Sequence, residues 1–388
     1  MTMNTILELF KEYLPEYLKA SRGRKQAILN TVCEVVKFNR KSAIRKFHCL
    51  QMKSSRKSDG RGRPVTYTPD VISALKDVWE TSNEICGELL HPVVVEYVNI
   101  LRRDGEWNHR SDTTEKLLLM SEGTVKTKVG QFLKARSSHR GMGSTSPSLL
   151  KNIIPIFTGQ WKDKPPGFGQ TDTVVHCGSS LTGDMVFSVN YTDICTMWIG
   201  LFVQWNKGQI ATQISLENIR NRLPFTLKGL HPDTGSEFVN WHLKGWCDQQ
   251  NIELTRSRPS HKNDNAYVEE RNGHVIRKWL GYNRLDTVSL VPMINELYII
   301  LEVYLNHFIP SRKCLEKIRI GSRYKRTYGK ATTPYLRVLA HPQIDENIKE
   351  QLRLKHSQLN PLYLKKQIDN LTVKIFTLQR QSGNRIII

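Results

Sequence analysis

Three acidic residues stand out for where they fall in the local pattern. Asp172 sits inside the β-branched run Gly169-Gln170-Thr171-Asp172-Thr173-Val174-Val175. An ionised carboxylate in a strand centre is costly unless it is paired, protonated or metal-bound. Asp233 closes another extended run in His231-Pro232-Asp233-Thr234-Gly235-Ser236-Glu237-Phe238, at a strand-to-helix edge where α/β folds place ligands. Glu269 ends the segment Lys262-Asn263-Asp264-Asn265-Ala266-Tyr267-Val268-Glu269, within the first turn or so of a helix. Strand centre, strand end and helix start can converge at one point on a sheet surface. Three carboxylates meeting there repel one another unless a hard divalent cation neutralises them. Oxygen-only donors favour magnesium or manganese over zinc.

Other groups near these positions have simpler expected roles. Asp193 is expected to shape a turn, and Glu237 and Asp248 to face solvent on a helix. By period two, His176 shares a strand face with Asp172 and His231 with Asp233. Both are candidates to touch the chemistry, weighed against structural histidines. No G-x-S-x-G, Walker A or H-E-x-x-H run occurs, which gives serine hydrolase, P-loop ATPase and zincin chemistries no foothold.

The elements that must position the acids follow from hydrophobic period. Residues 168–177, 184–191 and 196–205 are short β-branched or aromatic runs and predict a three-stranded meander. A helix over 209–223, a strand over 226–231, a helix over 236–250, a strand over 252–256 and a long helix over 265–280 follow. This order predicts an α/β domain.

Two polar breaks flank helical blocks upstream. Residues 53–64 and 136–148 read as linkers. Before the first, apolar residues at Ala27, Ile28, Val32 and Val35 or Val36 mark a helix over 25–36. A turn at 37–39 follows, then a helix from Arg40 with Ala43, Ile44, Phe47 and Leu50 inside. Arg40, Lys41, Arg45 and Lys46 lie outside. That is the layout of a helix-turn-helix with a basic recognition face. Residues 21–63 hold 13 Lys+Arg and two acids, about half the +21 net charge of the 388-residue chain. Arg61 and Arg63, in Gly60-Arg61-Gly62-Arg63-Pro64, could enter a minor groove. A second pair, 113–119 and 124–133, has similar proportions, with Ser121 as a cap and Thr124, Lys126 and Lys128 toward DNA.

The motifs at 233–238 and 262–269, with the basic loop Arg256-Ser257-Arg258-Pro259 running toward Asn272-Gly273, resemble the catalytic core of insertion-sequence DDE transposases with a retroviral-integrase-type core. The resemblance covers roughly 164–282. It extends loosely to the N-terminal helices and to Thr332-Thr333-Pro334-Tyr335-Leu336-Arg337. It implies a ribonuclease-H-like core with a mixed five-stranded sheet and helices. It makes Asp172, Asp233 and Glu269 the catalytic, metal-binding triad, holding two Mg²⁺ ions with Mn²⁺ as substitute. Gly273 stands where retroviral enzymes often place a DNA-contacting Lys, so that contact does not transfer; Arg277 and Lys278 are candidates from the same helix. Arg256, Arg258 and Lys262 would supply charge beside the scissile phosphate.

The expected division is 1–64, a helix-turn-helix and basic linker; 65–148, a second helical DNA-binding domain; 149–284, the catalytic core; and 285–388, a basic, mainly helical C-terminal region. Residues 312–337 carry nine Lys+Arg and one acid with Tyr324, Tyr328 and Tyr335 interleaved, as on a phosphate-tracking surface. The expected activity is metal-dependent DNA cleavage and strand transfer at the ends of a mobile element. The alternatives are a non-catalytic DNA-binding regulator and a ribonuclease-H-like nuclease. The expected partners are double-stranded DNA and further copies of the chain. No run reaches ~18 apolar residues: residues 291–305 are interrupted by Asn295, Glu296 and Glu302. Seven scattered cysteines without a C-x-x-C pair fit reduced thiols in a cytoplasm.

Overall fold

A computed structural model describes residues 3–53, 66–133, 164–232, 235, 237–256, 268, 271–320 and 323–383. The chain forms two compact units, Met1–Thr66 and Tyr67–Ile388. The expected blocks 65–148, 149–284 and 285–388 therefore all fall essentially within one unit. The polar breaks and the residues Arg61 and Arg63 lie outside the described residues.

The first unit is three helices, α1 (Met3–Lys19), α2 (Arg22–Val36) and α3 (Arg40–Lys53). Phe10, Ile28, Leu29, Val32, Ala43 and Phe47 form its core. The turn after α2 is made by Lys37 in the left-handed region, φ 55°. The core face is rotated slightly from the expected one. Ala27, Val35 and Ile44 are exposed, and Leu29 takes the inward position. The reason is α1, whose Ile6 and Phe10 fix which stripe of α2 is covered.

The second unit begins with α4 (Pro69–Thr81), α5 (Gly87–Leu90), α6 (Val94–Arg103), α7 (Ser111–Leu118) and α8 (Glu122–Leu133). Ser121 accepts from the Thr124 N–H at 3.4 Å, the expected cap position. A sheet follows, of β1 (Phe168–Val175), β2 (Val186–Asp193), β3 (Ile199–Trp205), β4 (Gly229–Pro232) and β5 (Glu253–Leu254), in the order β3-β2-β1-β4-β5. The first three strands pair antiparallel, and β1–β4 and β4–β5 pair parallel. Helices α9 (Gln209–Arg220) and α10 (Trp241–Gln249) cover one face through Leu216, Phe238 and Trp246 against Val189 and Tyr191. The chain is thus mixed α/β, with helices ahead of the sheet.

On the other face lie α11, wound as a π-helix over Asn272–Arg277 and continued by Lys278–Leu280, and α12 (Leu290–Phe308). A hairpin follows, β6 (Cys314–Ile320) and β7 (Arg323–Tyr328). Then come α13 (Pro334–Ala340), α14 (Glu346–Ser357) and α15 (Pro361–Gly383). One apolar cluster runs through α4–α8, the sheet, α12 and α15, including Leu75, Tyr97, Val203, Leu297 and Ile368. Buried hydroxyls join its parts: Tyr304 donates to the Thr81 carbonyl at 2.6 Å and Tyr97 to that of Phe308 at 3.3 Å. Tyr335 is not on the expected basic surface. It is buried and stacks on His307 and His356, with centroids 4.9 and 4.2 Å away.

The polar residues that interrupt α12 have a single purpose. Strand β3 is a sheet edge, and its outward backbone groups need partners. Asn306 accepts from Ile199 N–H and donates to Ile199 C=O, both at 2.8 Å. Glu302 accepts from Leu201 N–H at 2.5 Å, and Arg222 donates to Leu201 C=O and to Glu302. Asn295 accepts from Val203 N–H at 2.8 Å and donates to its carbonyl at 3.0 Å. The spacings of four and seven keep these side chains on one helix face. Four helical residues rise about 6 Å, against roughly 6.8 Å for two strand residues. A helix thus substitutes for a sixth strand. Among the described residues, no helix is long and apolar enough to cross a membrane.

The turn from β2 to β3 is organised by Asp193, as expected. Its carboxylate accepts from Thr196 N–H and hydroxyl, both at 2.7 Å, and from Gly167 N–H at 2.8 Å. Complete burial outweighs these bonds and raises its pKa to about 6.

Two measurements check these interactions. Glu302→Ala leaves Arg222 without its carboxylate and Leu201 N–H without an acceptor. It should cost about 3–5 kcal/mol in urea unfolding. An Asp193 raised above the ordinary carboxylate value binds its proton more tightly in the native than in the unfolded state. Its contribution to stability is therefore greatest below pH about 4 and falls as pH rises toward about 6. A carboxyl ¹³C titration of Asp193 should show a midpoint near 6; a midpoint near 4 would contradict the assignment.

Candidate functional site

Strand β1 is the middle of the five, and Asp172 lies at its centre, directly opposite Asn190 of β2. The carboxylate is half-buried. Its Oδ1 accepts from the Thr173 N–H at 2.8 Å, and its Oδ2 accepts from Asn272 Nδ2 at 2.7 Å. Asn272 Oδ1 in turn accepts from Asn190 Nδ2 at 2.8 Å. The Asn272 amide of α11 and the Thr173 N–H thus hold one carboxylate oxygen each, and Asn190 of the neighbouring strand holds the Asn272 amide in turn. Asn272 opens the π-helical segment. Such wider turns re-aim side chains and recur at functional sites.

Of the other expected acids, Asp233 and Glu269 lie outside the described residues. Their chain neighbours are described. Pro232 pairs with Thr171 across the β1–β4 ladder, and Val268 N–H donates to the Gln170 side chain at 3.3 Å.

Glu237 departs from expectation. It lies in the turn before α10, is 3 % exposed and points inward. Its Oε1 accepts from Thr173 Oγ1 at 2.9 Å, and Lys207 Nζ lies 3.0 Å from Oε2. The helix begins only at Trp241, because Asn240 caps it by accepting from Leu243 N–H at 2.8 Å. A Cβ at Gly235 would fall 2.4 Å from Glu237 Oε2, so a larger residue there must displace that side chain. Phe238 is wholly buried under the sheet. Glu237 therefore ties the turn before α10 to the residue following Asp172. Asp248 is exposed and paired with Lys244 at 2.6 Å, as expected.

The two histidines are structural. His176 is buried, with Nε2 2.7 Å from Ser188 Oγ, which is 2.5 Å from Tyr298 Oη. Burial, helped by the nearby Arg277 charge, lowers its pKa to about 3 and keeps it neutral. His231 Nδ1 lies 2.9 Å from Thr255 Oγ1, also buried.

The expected DNA-facing cations divide. Arg40, Lys41 and Arg45 are exposed on α3 and Lys46 half-exposed, with Arg40 also bonded to Asn30. Lys128 is half-buried. Lys126 is ion-paired to Glu88, which also binds Arg312 at 2.6 Å. Arg277 turns inward, donating to the Val175 carbonyl at 2.8 Å and lying over the Tyr282 ring. Burial lowers its pKa. Arg256 is likewise buried rather than on a basic loop surface. Arg258 and Lys262 lie outside the described residues. Lys278 is solvent-accessible and donates to the Asn83 carbonyl; the protein crowded around its ammonium lowers its pKa to about 8.

These features define a mixed α/β protein with a central-strand carboxylate held by the Asn272 amide and the Thr173 N–H. The chain matches no family model. It is 33% identical over 339 residues, 87% of this chain and 96% of the relative, to an uncharacterized protein, y4rM, of Sinorhizobium fredii. The chain belongs to the family of that protein.

Gly235→Ala should push Glu237 off Thr173 and Lys207 and cost about 1–3 kcal/mol. In urea unfolding, the same change made in a Glu237→Ala background should cost less. Equal losses in both backgrounds would show that the glycine serves something else.

Proposed function

We propose that this chain is a DNA transposase of the integrase type, carrying out metal-dependent cleavage and strand transfer at the ends of a mobile element. The observation that carries the reading is the setting of Asp172. It sits at the centre of the middle strand, with Pro232 paired beside Thr171 and Val268 bonded to Gln170. Asp233 and Glu269 each follow one of these residues directly in the chain. The sheet order, three antiparallel strands followed by two parallel ones with intervening helices, supports the ribonuclease-H-like arrangement that the sequence resemblance implies.

The donor set fits a hard divalent cation. Asp172, Asp233 and Glu269 offer oxygen alone, which suits Mg²⁺, with Mn²⁺ as substitute. Ions held by these carboxylates would lower the pKa of an attacking water or DNA 3′-hydroxyl and neutralise the leaving oxygen. The chain's own part is orientation. Thr173 N–H and Asn272 each bind one oxygen of Asp172, which fixes the plane of the carboxylate. The helices of the first unit expose Arg40, Lys41 and Arg45 on one helix, which suits double-stranded DNA at the element ends. Bringing two ends together calls for more than one copy of the chain.

The test is Mg²⁺-dependent joining of a 3′-hydroxyl oligonucleotide, carrying the DNA ends that flank the gene, to a plasmid. Asp172→Asn should abolish joined product while the circular dichroism stays unchanged. Asn272→Ala should lower joining about 10- to 100-fold, as loss of a ligand-orienting partner does. Undiminished joining by Asp172→Asn would overturn the proposal. DNA binding with no joining or nicking by the unaltered protein would favour a non-catalytic regulator. Nicking with no joining would favour a nuclease.

A further inference from the structure

Asn190 stands in β2 directly opposite Asp172, with Leu201 of β3 opposite it on the other side. Directly opposed residues of neighbouring strands share a face of the sheet, so the Asn190 and Asp172 side chains lie on one side. The Asn190 side chain is wholly buried. Its Nδ2 donates to Asn272 Oδ1 at 2.8 Å, and Asn272 Nδ2 donates to Asp172 Oδ2 at 2.7 Å. Its other end, Oδ1, is buried and has no hydrogen-bond partner among the described residues. A buried carbonyl left unpaired is costly. Stability alone would favour an apolar residue of the same branching, such as the Leu201 beside it.

The two ends of a carboxamide differ little in shape, so their partners decide which end faces which way. A carboxylate that holds a cation has only acceptors to offer. The end of Asn272 that serves it is therefore the amide nitrogen. Asn190 enforces that choice from the far side, because it presents an N–H that only the Asn272 oxygen can receive. Turning Asn272 over would set its oxygen against the Asp172 oxygen and its amide against that of Asn190. Two repulsive contacts would replace two hydrogen bonds. Asn272 is only half-buried, and packing does not select between two ends of equal shape. The donor on Asp172 Oδ1 is a backbone N–H, fixed by the strand. Asn272 is thus an adjustable contact of the carboxylate, and Asn190 is what adjusts it.

We propose that Asn190 is a positioning residue, which fixes the end of Asn272 that faces Asp172 and so holds the plane of the carboxylate. It acts through Asn272 and not on any reacting atom. Outer partners of this kind orient ligand residues, and their loss commonly weakens metal binding about 10- to 100-fold. That consequence rests on the proposed function; the orientation of Asn272 does not.

The test begins with the full chain in EDTA, read by nuclear magnetic resonance with each side-chain amide assigned through bonds to its own backbone. In the unaltered protein, the Asn190 and Asn272 carboxamides should exchange with water at least about tenfold more slowly than that of the exposed Asn251. This arm needs no variant to fold. Asn190→Leu should speed exchange at the Asn272 amide at least about tenfold and leave the Thr173 backbone N–H unchanged. Its urea midpoint should be unchanged or raised, because the unpaired carbonyl goes with the side chain. Mn²⁺ binding, read by electron paramagnetic resonance, should weaken about tenfold in Asn190→Leu, but less than about twofold when the same change is made in an Asn272→Ala background. Rapid exchange of both carboxamides in the unaltered protein, unchanged Asn272 exchange in Asn190→Leu, or equal Mn²⁺ losses in the two backgrounds would overturn the proposal. Faster Asn272 exchange in Asn190→Leu, with no Mn²⁺ binding by the unaltered protein, would sustain the role of Asn190 and remove the metal reading of the site.

Discussion

The outward N–H and C=O groups of Ile199, Leu201 and Val203 must be satisfied before the sheet can be buried, and α12 satisfies them. Asn306, the Glu302–Arg222 pair and Asn295 each take a donor and an acceptor of the edge strand. With that edge closed, the face of the sheet bearing Asp172 can be packed under α11 and α12. The helical block α4–α8 and the C-terminal helices can then share one core with it. The cost is a carboxylate and a guanidinium drawn out of water. Burial raises the Glu302 pKa while Arg222 opposes that rise. Such pairs contribute little net stability but are damaging to break.

Within that frame, two sets of contacts serve the candidate site. On one face of β1, Asn190 and Asn272 hold Asp172. On the opposite face, Thr173 ties down Glu237 and so the loop that follows β4. Adjacent residues of a strand point to opposite faces. One strand therefore anchors both a carboxylate and the loop leading away from Asp233. The π-helical winding of α11 lets the same short helix present Asn272 to the sheet and Arg271, His274 and Lys278 to a separate cavity.

The positive charge of the chain is not all directed outward. Arg277 is half-buried and turned inward, Arg256 is buried, Lys126 is bound to a carboxylate, and Arg337 donates to Ser311 Oγ at 2.9 Å. A guanidinium carries five donors and tolerates partial burial when carbonyls receive them. A net charge of +21 therefore does not say which cations face outward; Arg40, Lys41 and Arg45 of α3 do.

Read without any structure, the sequence already contains the succession of strands and helices along the chain, the helical character of the segments before the sheet, the placement of Asp172 in a strand and the turn role of Asp193. Each follows from short-range periodicity or from turn chemistry within a few residues. The boundaries of β4, α10 and β5 were less legible, because Asn240 and the loop before it, rather than hydrophobic period, set where the helix starts. The amide chain from Asn190 through Asn272 to Asp172 joins residues 82 and 100 positions apart. The inward turn of Glu237 depends on Thr173, 64 positions away. The pairing of α12 with β3 spans about as far. Such contacts are invisible to local pattern, since which polar side chains face inward depends on what another segment leaves unsatisfied. Residue types set the available donors and charges; the path of the chain decided which of them met.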